Sequence, residues 1–246
     1  YVIDHLLVEV AAEILLEAAQ QSWRDRDCNG YDLGVIAKAV FRSTKGEAFS
    51  NCFIDSFLNI ESGPCWSPNF LQDTWAALAE AQPDSFLEGM KALYESDRLI
   101  IFRFSLDRLV SPVKWVGQAA IRAWCCKDPD ANCPVVAELM LSEDLLVNQD
   151  GGSSDQDLLS FLLAQSSTPM AILQTVVKNL WPDIWSGSLA DIVEKRAEVL
   201  EPLLAHADPR IREAVKKHQS ELRKSIAAER ESEKRRSKSE DQRFEW

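Results

Sequence analysis

Apolar residues recur every three to four positions along nearly the whole of this sequence, and no stretch alternates with a period of two for long enough to demand a β-sheet. Over residues 2–23, Ile3, Leu6, Leu7, Val10, Ala11, Ile14, Leu15 and Ala18 keep helical spacing. Within that run Glu9, Glu13 and Glu17 stand four apart and form one polar stripe, which excludes a membrane-spanning helix.

Helices are expected over 32–41, 50–60, 83–95, 112–126, 134–147, 155–165, 168–185 and 188–205. Ser67-Pro68, Pro83-Asp84, Ser111-Pro112 and Cys133-Pro134 mark helix starts, because proline fits a first helical position that has no use for its missing N–H. Residues 25–30, 43–47 and 148–155 read as loops, the second because it contains Gly46 and the third because it contains Gly151-Gly152. Leu99-Ile100-Ile101-Phe102 has the composition of a short buried strand. Phe102, Leu106 and Leu109 continue at helical spacing with no hairpin turn beside them, so 97–109 reads as a helix. The expectation is an all-α chain of successive helix pairs.

Composition supports this. With 9 Gly and 10 Pro in 246 residues, the chain is short of turn formers, while 46% apolar content and eight tryptophans supply a core. A first residue of Tyr1, inside a helical pattern, leads us to expect a piece of a longer protein.

The formal charge is −12, with 27 basic and 39 acidic residues. Such a surface repels a phosphate backbone, since nucleic-acid affinity rests largely on Lys and Arg displacing counterions. The six cysteines (Cys28, Cys52, Cys65, Cys125, Cys126 and Cys133) have irregular spacing in a chain too large to need staples. Reduced thiols in a cytoplasmic setting are the expectation. Cys125, Cys126 and Cys133 lack the paired Cys-x-x-Cys spacing of a zinc site.

The sequence holds no phosphate loop, dinucleotide fingerprint, His-Glu-x-x-His or Gly-x-Ser-x-Gly, and its only histidines are His5, His206 and His218. Ser111-Pro112-Val113-Lys114 matches Ser-x-x-Lys alone among acyl-transfer signatures, and Ser111 is better read as a helix cap. No catalytic residue, cofactor or metal is therefore assigned. Trp75, Trp115 and Trp124 fall on apolar faces and are read as core. Trp66, Trp181 and Trp185 lie beside prolines or in connections and are the candidate aromatic anchors for a partner.

Residues 221–246 carry eight basic and seven acidic side chains, so the segment nets +1 and the body before it −13. Charges mixed at spacings of three to four favour a solvent-exposed helix projecting past the body. The expected division is a helical array over 1–220 and a charged helical tail over 221–246. Lys234, Arg235 and Arg236, with Lys238, are the tail's candidate contacts to nucleic acid or an acidic partner, with the interleaved acids favouring a solvated helix face, and the tail is a candidate oligomerisation element.

One segment carries a family likeness. Asp208-Pro209-Arg210-Ile211-Arg212-Glu213-Ala214 resembles the second-helix signature of a HEAT repeat, with Asp208 as cap, Pro209 at the first helical position, and Ile211 and Ala214 toward the partner helix. The resemblance implies an irregular HEAT-like α-solenoid that binds a protein partner. Together with residues 79–88 and the charged tail, it also resembles the carboxy-terminal helical regions of large bacterial conflict and phage-defence proteins, which implies a sensor in antiviral defence. HEAT-like folds further include DNA glycosylases acting on damaged bases. That alternative recruits Trp115, Trp124 and Asp128, and the acidic body disfavours it.

Overall fold

The computed structural model describes residues 8–14, 30–58, 72–99, 112–140, 155–182 and 185–244, and all regular structure among them is helical. The expected starts at 67–68, most of the 97–109 helix and the 148–155 loop lie outside the described residues. None of the described helices is long and apolar enough to cross a membrane. The chain divides into two compact units, Tyr1–Asp128 and Pro129–Trp246.

The first unit holds a helical run at residues 8–14, then α1 (Gly30–Phe41), α2 (Gly46–Leu58), α3 (Gln72–Ala81), α4 (Pro83–Glu95), α5 (Pro112–Val116) and α6 (Gln118–Lys127). Gly46 opens α2 rather than sitting in a loop. A Cβ at Gly46 would lie 2.0 Å from the Phe41 carbonyl oxygen, so only glycine lets the chain double back this tightly. The single helix expected over 112–126 is broken at Gly117, whose φ of 81° is left-handed backbone that an α-helix cannot include.

Alternate helices pair in the same direction. Near their starts α1 and α3 touch at Gly34 and Asp73, and near their ends the Gln82 amide donates to the Phe41 carbonyl (2.9 Å). Similarly, Gly89 of α4 packs on Ile54 of α2, and Arg98 donates to the Leu58 carbonyl. The core follows from this stacking. Phe41, Phe53, Trp75, Phe86 and Trp115 form a chain of edge-on ring contacts, 4.9–6.4 Å between centroids, that crosses all of α1 to α5. Helices α4 and α6 break the rule by running in opposite directions: Trp124 donates to Glu88 (2.7 Å), and Lys127 pairs with Asp84 (2.9 Å).

The second unit comprises α7 (Pro129–Leu139), α8 (Asp155–Gln165), α9 (Pro169–Asn179), α10 (Leu189–Ala197), two 3₁₀ turns (Glu198–Leu200 and Pro202–Ala205) and α11 (Pro209–Phe244). Three boundaries differ from expectation. Helix α7 starts at Pro129 and runs through Pro134, where the sequence suggested a new start. An internal proline costs about 3 kcal/mol. Burying Val135, Val136, Leu139 and Met140, each at most 1% exposed, offsets this, at about 1.5–3 kcal/mol per side chain. Helix α9 ends at Asn179 instead of continuing to 185, because the residue before Pro182 is pushed out of helical geometry. The expected 188–205 helix tightens into 3₁₀ turns after Ala197, since Pro202 has no N–H to donate to the Glu198 carbonyl.

Within this unit α7 and α9 also run in the same direction. The Asp130 carboxylate accepts from the Ser167 amide (2.7 Å) just before α9, a contact that holds its pKa below the usual carboxylate range. At the other end the Asn179 side chain donates to the Ala137 carbonyl (3.3 Å). Pro129, Pro169 and Pro209 each stand first in a helix, and consecutive ones are 40 residues apart. The buried guanidinium of Arg196 donates to the Leu180 carbonyl (3.4 Å), placing a cation at the negative end of α9.

Candidate functional site

The strongest local geometry of the second unit is the hairpin of α10 and α11. Its closed end is built by the Asp208-Pro209 signature. The Asp208 carboxylate accepts from the Arg210 amide (2.8 Å) and from its guanidinium, and these contacts hold its pKa below the ordinary carboxylate value, the guanidinium contributing most. Arg212 folds back to donate to the His206 and Ala207 carbonyls (2.6 and 2.9 Å), which pins the connection. Ile211 and Val215 are the buried pair, while Ala214 is half-buried, so the inward face follows an i, i+4 ridge rather than the i, i+3 ridge expected.

The two helices run antiparallel. Leu222 and Ile226 continue the buried ridge of α11, and no apolar side chain follows Ala228 until Phe244. Past Ile226 the attachment to α10 is polar. Arg230 spans to Asp191 (2.8 Å) and Glu194 (2.7 Å). Glu233 accepts from the Ser188 hydroxyl (2.8 Å) and the Ala190 amide (3.1 Å), so a side chain of α11 caps the start of α10. The Arg230 guanidinium lowers the Asp191 pKa, and the Ser188 hydroxyl, more than the Ala190 amide, lowers that of Glu233.

Between these contacts lies an open groove of about 450 Å³. Ala197, Leu222, Ile226 and Ala227 form its apolar floor. Glu194, Glu198 and Glu201 line one bank at intervals of four and three, and Gln219, Arg223 and Arg230 line the other. Glu194 is engaged by Arg230, whereas Glu198, Glu201 and Arg223 are exposed and make no ion pair among the described residues. The groove can therefore take an apolar side chain below charges of both signs. It offers no nucleophile paired with a base, and no three His, Cys, Asp or Glu side chains converge as metal ligands among the described residues.

The residues singled out from sequence fall into separate places. Trp66 lies outside the described residues. Trp181 is half-buried and Trp185 is 42% exposed, at the connection from α9 to α10. The Glu233 contact to Ser188 brings that connection to the end of the hairpin past which Lys234, Arg235 and Arg236 continue α11. Lys234 pairs with Glu231 (2.8 Å) and Arg236 with Glu229, so both are partly neutralised within the helix, while Arg235 is exposed without an ion pair among the described residues.

Trp75 and Trp124 are fully buried, as expected, and Trp115 is half-buried. With its N–H given to Glu88, Trp124 presents no face to a ligand, and Asp128 is exposed at the end of α6. Of the cysteines, Cys125 and Cys133 are buried free thiols, and Cys52 and Cys126 are exposed ones.

Sequence reasoning missed the groove itself. Its signal was the stripe Glu194, Glu198 and Glu201 on the polar side of the 188–205 segment, opposite the apolar side that identified the helix. Compared with known protein families, with curated proteins and with solved structures, the chain matches none.

Proposed function

We propose that this chain is a non-catalytic protein-interaction module, built as an irregular HEAT-like helical array and contacting its partner through the groove of the α10–α11 hairpin. The observation that carries the reading is the 40-residue interval between Pro129, Pro169 and Pro209, each opening a helix. That interval falls within the period of about 40–47 residues of HEAT repeats. The same-direction pairing of α7 with α9, and of α1 with α3 and α2 with α4, supports it, since stacked repeats place equivalent helices side by side. Arrays of this kind recognise partners by shape and side-chain pattern, which suits an open groove with an apolar floor and charged banks. A sensor role within a larger cytoplasmic defence protein is the setting the sequence resemblance supports.

Site-specific photo-crosslinking in cells tests the proposal. A benzophenone side chain in place of Glu198, in the groove, is expected to give discrete protein adducts. The same group in place of Lys224, on the far side of α11, is expected to give few. Equal labelling at both positions, or none at Glu198, would overturn the reading.

A further inference from the structure

We infer that the occupant of the groove is the projecting end of α11 from a second copy of the chain. The inference rests on the groove being an interaction surface and adds the identity of what fills it. Glu198 and Glu201 stand three residues apart on the acidic bank and lack ion-pair partners among the described residues. Arg235 and Lys238 also stand three residues apart, are exposed, and make no ion pair among the described residues. A spacing of three puts two side chains on one face of a 3₁₀ turn or of an α-helix, so the two pairs are opposite in charge and share their sequence spacing.

The segment cannot fill the groove of its own chain. Helix α11 is continuous from Pro209 to Phe244 and is clasped to the start of α10 at Glu233. Residues 234–244 therefore carry on past α10, about 17 Å beyond the clasp at the helical rise, and away from a groove that spans Gln219 to Arg230. Only another molecule can present this segment there. If each copy offers both tail and groove, the exchange is reciprocal and closes as a two-fold dimer.

Light scattering after size exclusion tests this on the full chain. The wild type is expected to be a dimer at low salt that dissociates as salt is raised, because exposed charge pairs are screened. Glu198→Lys with Glu201→Lys, and separately Arg235→Glu with Lys238→Glu, are each expected to be monomeric, with unchanged helical circular dichroism. An equimolar mixture of the two variants is expected to dimerise again, since each reversed groove meets a reversed tail and each native groove a native tail. A monomeric wild type, a dimer that survives either variant, or a mixture that stays monomeric overturns the inference. The crosslinking at Glu198 separates the two readings by adduct mass: twice the mass of the chain is the second copy expected here, and any other mass is a different protein in the groove, which would overturn this inference and leave the interaction surface standing.

Discussion

Placing a methyl group on Gly34 sets two effects of opposite sign against each other. At an exposed helical position, glycine to alanine stabilises by about 1 kcal/mol through backbone entropy. Gly34, however, sits where α1 meets α3, and the new Cβ would lie 2.4 Å from the Cβ of Asp73. Carbon atoms rest at about 3.5–4.0 Å, so the helices must part by about 1 Å. Neither atom can swing aside, because both are bonded directly to helical backbone. Overpacking of this kind costs about 1–3 kcal/mol, and the most closely packed helix pair of the unit also loses contacts along its length. The net expectation for Gly34→Ala is destabilisation of about 1–2 kcal/mol, read as a lower urea midpoint by far-ultraviolet circular dichroism. Removing the opposing carbon supplies the control. Asp73→Gly in the Gly34→Ala background should recover stability, giving a coupling of about 1–2 kcal/mol in the double-mutant cycle. A Gly34→Ala midpoint at or above that of the wild type would refute the close approach of α1 and α3.

Trp124→Phe removes the indole N–H that binds Glu88 and leaves a void in a fully buried site, so a loss of about 1–3 kcal/mol in urea unfolding is expected; no change would mean the indole is not an anchor between α4 and α6. A spin label at Ser237 should gain mobility as the pH drops below about 4. The folded pKa values of Asp191 and Glu233 are depressed, so the stability they lend the clasp is present above the ordinary carboxylate pKa and lost as acid protonates them. Glu233→Gln should mobilise the same label at neutral pH, and a label equally immobile in both tests would remove the clasp from the account. Asp208→Ala takes away the acceptor for the Arg210 amide and should speed hydrogen exchange at Arg210 and Ile211, while the amides of α9 exchange as before.

Helix identity was legible in the sequence wherever an apolar stripe met a proline start. Pro83, Pro112 and Pro209 open helices as expected, and 155–165 has the expected bounds. Boundaries failed where tertiary burial or a single backbone angle outweighed local preference. Pro134 looks like a start until the burial of Val135, Val136 and Leu139 is known, and Gly117 looks like a tolerated helical glycine until its φ is. The first error also concealed the interval, because a helix opened at Pro134 is out of step with Pro169 and Pro209. The groove was illegible for a different reason. It joins Glu198 and Glu201 to Leu222 and Arg223 across a turn, and periodicity within one helix says nothing about which polar face it shares with the next.

The position of the Glu233 clasp has a consequence for the energetics of any encounter. Starting a helix in water is disfavoured by a factor of about a thousand, equivalent to about 4 kcal/mol, and a segment as short as 234–244 would be largely unstructured alone. Here the segment extends a helix already nucleated and held from Pro209 to Glu233, so only propagation remains. Whatever binds it meets a preformed rod instead of a chain that must fold on contact, and that barrier is absent from both the rate and the affinity of association.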